Sequence, residues 1–233
     1  MRAMGFFFAL VCLLPTSVLA GGLKVGNGGE GILENGHIFV RELWERGQHH
    51  HVHFGESVDS KLMASLNQLN KIALTQAERQ LLARKLSDLE HRYPCLGRIF
   101  ISVIEAYRWV FVDESLALLP DEDSIRNIPN EQRVQIANRY LTTIHIHRPS
   151  WQQMPEEHRV ALLIHEVVYS LMRPRFAEII GSHRTFKQSV GLTREIVSLM
   201  FLKTKGSDGQ RLRDLIRENL AIDSVDIADT VKA

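Results

Sequence analysis

Between Val160 and Met172 the chain reads VALLIHEVVYSLM, a run in which His165, Glu166 and Tyr169 stand among apolar side chains. If this run is a helix, apolar residues surround its whole circumference, which marks a helix buried inside a domain rather than one lying on its surface. An ionised carboxylate is very unfavourable there without a partner, so Glu166 must be paired, protonated or bound to a metal. Pro155, Glu156 and Glu157 supply a helix start, with a proline suited to the first turn and two acids at the positive end of the helix dipole. Arg173-Pro174 stops the helix.

The chain opens MRAMGFFFALVCLLPTSVLA, with one early arginine, an apolar run from Phe6 to Leu14 and a Val-x-Ala end at Ala20. That layout predicts a secretory signal peptide over residues 1–20. The apolar run is too short to span a bilayer and no later segment is long enough, so no integral membrane segment is expected after cleavage. Residues 21–233 are read as a single globular domain with a glycine-rich start over 21–31, and the location follows as periplasmic or secreted. The 28 Lys+Arg and 27 Asp+Glu come into balance once Arg2 leaves with the signal peptide. That balance shows neither a nucleic-acid footprint nor a charge field for membrane surfaces. Cys95 is then the sole cysteine, so an intramolecular disulfide is excluded.

Gly26, Gly28 and Gly31 formally satisfy G-x-G-x-x-G, but no strand precedes them, and the run reads as a turn-forming start rather than a dinucleotide site. Asn35-Gly36 between two apolar stretches predicts a tight hairpin, followed by a helical turn over Arg41 to Gly47. The segment from Gln48 to His53 holds four of the eleven histidines. Clustered imidazoles can hold a transition metal, although neighbouring residues on an extended chain point to opposite sides, and a polar loop is the preferred reading. Helices are expected over Val58–Asn70 and, behind the Thr75/Glu78 capping-box pattern, up to Tyr93-Pro94. Ile99 to Ile104, Trp109 to Val112 and Leu116 to Leu119 are rich in β-branched and aromatic residues and predict strands. Glu131 to Tyr140 fits a helix or an extended segment. Thr142 to His147 alternates, which places Thr143, His145 and His147 on one face of a strand and Ile144 and Ile146 on the other. Two further helices are expected over Thr185–Lys203, with Arg194 inside the apolar stripe of Val190, Val197 and Phe201, and over Asp208–Leu220. The fold class is α+β, a small antiparallel sheet with packed helices, one of them mainly buried.

Two readings of the buried helix remain open. In the first, Glu166 pairs with Arg194 across two packed helices while His165 and Tyr169 complete a buried hydrogen-bond network. This reading accounts for the lone arginine as well as the lone glutamate. In the second, the helix is catalytic. His165-Glu166-x-x-Tyr169 resembles the H-E-x-x-H helix of zinc-dependent peptidases, and the alternating strand ahead of it resembles the edge strand of zincins. That resemblance implies zinc held by His165 with replacement ligands among His145, His147, His183, Glu178 and Glu195, and catalytic roles for Glu166 and Tyr169. Tyr169 stands where the family has its second histidine, and a phenol of pKa ~10 is a poor zinc ligand at neutral pH.

A longer resemblance covers Trp151, the helix from Ala161 to Tyr169, Thr193 to Val197, Arg41 to Gly47 and Phe54-Gly55. These stretches are similar to a set of exported proteins of delta-proteobacteria, predatory ones included. The resemblance implies an exported globular domain and brings no activity with it. The expectation is therefore a non-catalytic envelope protein that binds or supports a partner in the envelope or outside the cell, with no cofactor. The alternative is a metal-dependent hydrolase, for which zinc is the candidate ion.

Overall fold

The computed structural model describes residues 29–118, 128–140, 142–172, 186–203 and 206–220. The expected signal peptide, the glycine-rich start up to residue 28, Leu119, most of the acidic turn segment, Glu178 and His183 lie outside the described residues. The chain is α+β, as its patterning predicts. Two three-stranded sheets take the place of the single expected sheet.

The first sheet is antiparallel, in the order β2-β1-β4, from β1 (Glu30–Glu34), β2 (His37–Val40) and β4 (Arg133–Gln135). Its hairpin turns at Asn35-Gly36, whose φ angles of 50° and 80° are the left-handed pair that a two-residue turn of this kind requires. The second sheet, in the order β3-β6-β5, consists of β3 (Arg108–Val112), β6 (Thr143–His147) and β5 (Ala137–Tyr140). β5 is antiparallel to β6, whereas β3 is parallel to it. The ambiguous stretch before Tyr140 is therefore extended, after one 3-10 turn over Asn130–Gln132. On β6 the expected alternation holds, with Ile144 and Ile146 wholly buried and Thr143, His145 and His147 half-buried.

Eight helices surround these sheets among the described residues: α1 (Arg41–Glu45), α2 (Ser60–Gln68), α3 (Gln76–Arg92), α4 (Leu96–Ala106), α5 (Arg148–Gln153), α6 (Glu156–Met172), α7 (Phe186–Met200) and α8 (Ser207–Leu220). α3 carries the full capping box at Thr75 and Glu78. α4 corrects the strand expected over Ile99 to Ile104. Leu96, Phe100, Ile101 and Ile104 are buried together at helical spacing while Arg98, Ser102 and Glu105 are exposed, so amphipathic periodicity outweighs the β-branched composition. Residues 115–118 form no regular element in place of the expected strand. α6 is the central element, with every residue from Val160 to Ser170 buried. It packs against α3, α4, α7 and β2. No helix among the described residues is long and apolar enough to cross a membrane.

Candidate functional site: a buried ionic network around the central helix

Glu166 is wholly buried and both of its oxygens are engaged. Oε1 accepts the backbone N–H of Gly29 at 2.6 Å, and Oε2 accepts from Arg139 Nη2 at 2.9 Å. Arg139 lies on β5 with no side-chain exposure, and its guanidinium also donates to the Glu166 carbonyl (2.6 Å) and the Ser170 hydroxyl (2.5 Å). Its charge lies over two rings, 4.5 Å from the centroid of Tyr107 and 5.3 Å from that of Tyr169. A planar, weakly hydrated guanidinium suits this setting, because it forks to several acceptors in one plane while its faces lie against aromatic rings.

The cation opposite Glu166 is thus Arg139, and the expected pairing with Arg194 is corrected. Arg194, on α7, turns to Glu30 at the start of β1, with Nη2 to Oε2 at 3.3 Å. Glu30 also accepts from Arg133 at 2.5 Å and from Arg41, which holds Glu45 one turn along α1 at 2.9 Å. Three arginines from β4, α1 and α7 therefore converge on one carboxylate. Placing Glu30 requires the first sheet, because β1 lies between β2 and β4.

Gly29 joins this cluster to the two sheets. Its carbonyl accepts from the backbone N–H groups of both Ile136 and Ala137, where the chain passes from β4 to β5, while its own N–H points to Glu166. A Cβ at this position would overlap the terminal methyl of Leu162, so a larger residue requires that buried side chain to shift.

His165 is the next member. Its Nδ1 lies 2.7 Å from Glu42 Oε1, and both side chains are almost completely buried. Burial alone would push the Glu42 carboxyl up, but the imidazolium of His165, by charge and hydrogen bond, holds it below its ordinary 4.5. Burial alone would likewise lower the His165 imidazole. The Glu42 carboxylate, by charge and hydrogen bond, and the charge of Glu166 raise it above its ordinary 6.5. Tyr169 is 1% exposed and stacks on His165, with ring centroids 6.4 Å apart and an interplanar angle of 20°. His165, Glu166, Tyr169 and Arg194 all belong to the buried cluster, but in three sub-clusters, centred on Arg139, Glu42 and Glu30.

The strand histidines lie elsewhere. His147 Nδ1 lies 2.6 Å from the Ser150 hydroxyl, and the His145 ring faces Tyr140 at 5.2 Å. Glu195 forms an exposed pair with Arg211 at 2.8 Å. Among the described residues, ligand-type atoms close enough for a shared ion are those of Glu34, His49 and His50, a set that includes none of His165, His145 and His147. Six charged residues of the network escape single-residue reading of the sequence: Glu30, Arg41, Glu42, Glu45, Arg133 and Arg139. The Arg41/Glu45 spacing of one helical turn was the visible signal; the others meet their partners only through tertiary structure.

The His165–Glu42 pair fixes a pH signature. His165, with its raised folded pKa, contributes stability that is complete below 6.5 and is lost as pH rises through that raised value. Glu42, with its lowered folded pKa, contributes stability present above 4.5 that is lost as pH falls through the lowered value. The stability difference between the natural protein and Glu42→Gln should therefore be greatest between 4.5 and 6.5 and narrow toward alkaline pH. Denaturant melts at a series of pH values measure it, and the difference cancels the opposing effects of His158 and His53, whose pKa values burial lowers. A gap independent of pH would show that His165 does not titrate against Glu42.

No protein-family model, curated protein or solved structure matches this chain.

Proposed function

We propose that this is an exported, non-catalytic protein of the cell envelope, one that binds or supports a partner there or outside the cell, and that the polar residues of α6 serve as internal structure. The observation that carries this reading is the state of Glu166. A general base must reach a water or a substrate proton, whereas both oxygens of this buried carboxylate are taken by Gly29 and Arg139. His165 meets Glu42 through Nδ1, and the strand histidines that would have to share an ion with it lie elsewhere, His147 at Ser150 and His145 beside Tyr140. The even charge of the chain supports a partner other than nucleic acid.

Export is supported by the sequence of residues 1–20 and by the resemblance to exported proteins of delta-proteobacteria. Intact-mass measurement on protein isolated from the envelope or medium of its native host is expected to give a chain beginning at Gly21. A chain retaining Met1 in the cytosolic fraction would contradict the reading.

A further inference from the structure

We propose that Glu34, His49 and His50 form a binding site for a divalent transition-metal ion of the zinc class, away from the buried network. Their ligand atoms lie within 4.8 Å of one another. Two imidazoles and one carboxylate are a borderline-soft donor set, which suits zinc and its neighbours better than magnesium or calcium. The set leaves the remaining coordination positions to water or to a ligand presented by a partner.

The fold builds this arrangement from two pieces of chain. In the β1–β2 hairpin, Ile32 pairs with Phe39 and Glu34 with His37, so these four residues share one face of the ribbon. After α1 the chain reverses at Gly47 (φ 68°), with Gln48 N–H donating to the Leu43 carbonyl and His51 N–H to the Gln48 carbonyl. That tight turn carries His49 and His50 over the same face. Phe39 is its floor, with its ring edge-on to His49 at 5.1 Å and to His50 at 5.6 Å. The two imidazoles are then only 4.1 Å apart between centroids. The turn avoids the opposed orientation that an extended chain would give them.

The turn is also held from behind. His158, on α6, accepts the Val40 N–H at Nδ1 (3.0 Å) and donates from Nε2 to the His49 carbonyl (2.9 Å). Together the two bonds place the imidazole proton on Nε2. The central helix thus fixes the backbone of one proposed ligand.

The spacing fits a tetrahedral ion. Metal–ligand bonds of about 2.0–2.1 Å put neighbouring ligand atoms roughly 3.4 Å apart. His49 Nε2 and Glu34 Oε2 are already 3.3 Å apart. The edges to His50 are within 4.8 Å, and its exposed ring can move to shorten them.

The test uses the full chain purified without a polyhistidine tag, with zinc chloride as probe in equilibrium dialysis and cobalt(II) as a visible-absorption probe of coordination. One ion per chain is expected, with the intensified cobalt bands of a four-coordinate site and a higher melting temperature on adding zinc. Glu34→Gln and His50→Ala change partly exposed positions and should keep the fold. Each removes one of three ligands, so affinity should fall on the order of 100-fold or more. His51→Ala, in the same loop, and His145→Ala, on β6, should bind as the natural chain does. Absence of binding by the natural chain, or binding that survives both ligand changes, overturns the site. An equal loss in His51→Ala would show unspecific capture by a histidine-rich loop, and a loss confined to His145→Ala would place the ion on the strand; either result also overturns it.

Discussion

Arg139→Ala is expected to destabilise the fold by about 3–5 kcal/mol, the loss associated with leaving a buried charge uncompensated. The size follows from the surroundings of Glu166. Neither side chain of the pair has any exposure, so the carboxylate cannot recover its hydration when the guanidinium is removed. The Gly29 N–H remains, but one neutral donor does not balance a full charge. The substitution also strips Ser170 and two aromatic rings of their shared neighbour. Urea or guanidinium melts give the value directly. A loss below about 1 kcal/mol would mean that Glu166 is protonated or solvated in the folded protein.

Glu30→Ala should cost a similar amount, about 3–5 kcal/mol, for the opposite reason. Here the buried charge removed is the anion, and Arg41, Arg133 and Arg194 lose the carboxylate on which they converge. With that carboxylate gone, three cations of like sign lie near one another in a poorly hydrated region, where repulsion is weakly screened, and Glu45 still holds Arg41. Glu30→Gln keeps the shape and an acceptor oxygen but not the charge. It separates the two contributions: a glutamine variant as unstable as the alanine variant assigns the effect to charge. Stability close to that of the natural protein in both variants would show that the three arginines are held without Glu30.

How much of this was legible in the sequence differs between elements. The burial of α6 could be read because VALLIHEVVYSLM leaves no polar face, and the need for a partner to Glu166 followed from elementary desolvation. The hairpin at Asn35-Gly36 and the capping box at Thr75 and Glu78 were equally legible, since both depend on residues a few positions apart. Which cation meets Glu166 was not. Arg194 stands out because its helix is otherwise apolar, whereas Arg139 sits in a stretch whose pattern fits helix and strand alike, 27 residues from its partner. Only the placement of β5 beside β6 brings it to α6. Glu30 was hidden in a glycine-rich run that reads as a loose start, and its role exists only once β1 lies between β2 and β4. The misreading of α4 has a local cause: Ile99, Ile101, Val103 and Ile104 raise the strand propensity of a segment whose buried side follows helical spacing.

The central claim is that the polar residues of α6 hold the fold together by pairing in the interior. The most direct test is a double-mutant cycle on Arg139→Met and Glu166→Gln, with stability measured by denaturant melts of the natural protein, both single variants and the double variant. Each single change leaves one buried charge alone, while the double change leaves none, so the double variant should lose much less than the sum of the two single losses. A coupling of about 1–3 kcal/mol is predicted, as for residues in one buried network. Losses that add to within about 0.5 kcal/mol would show that the two side chains do not meet and would contradict the account.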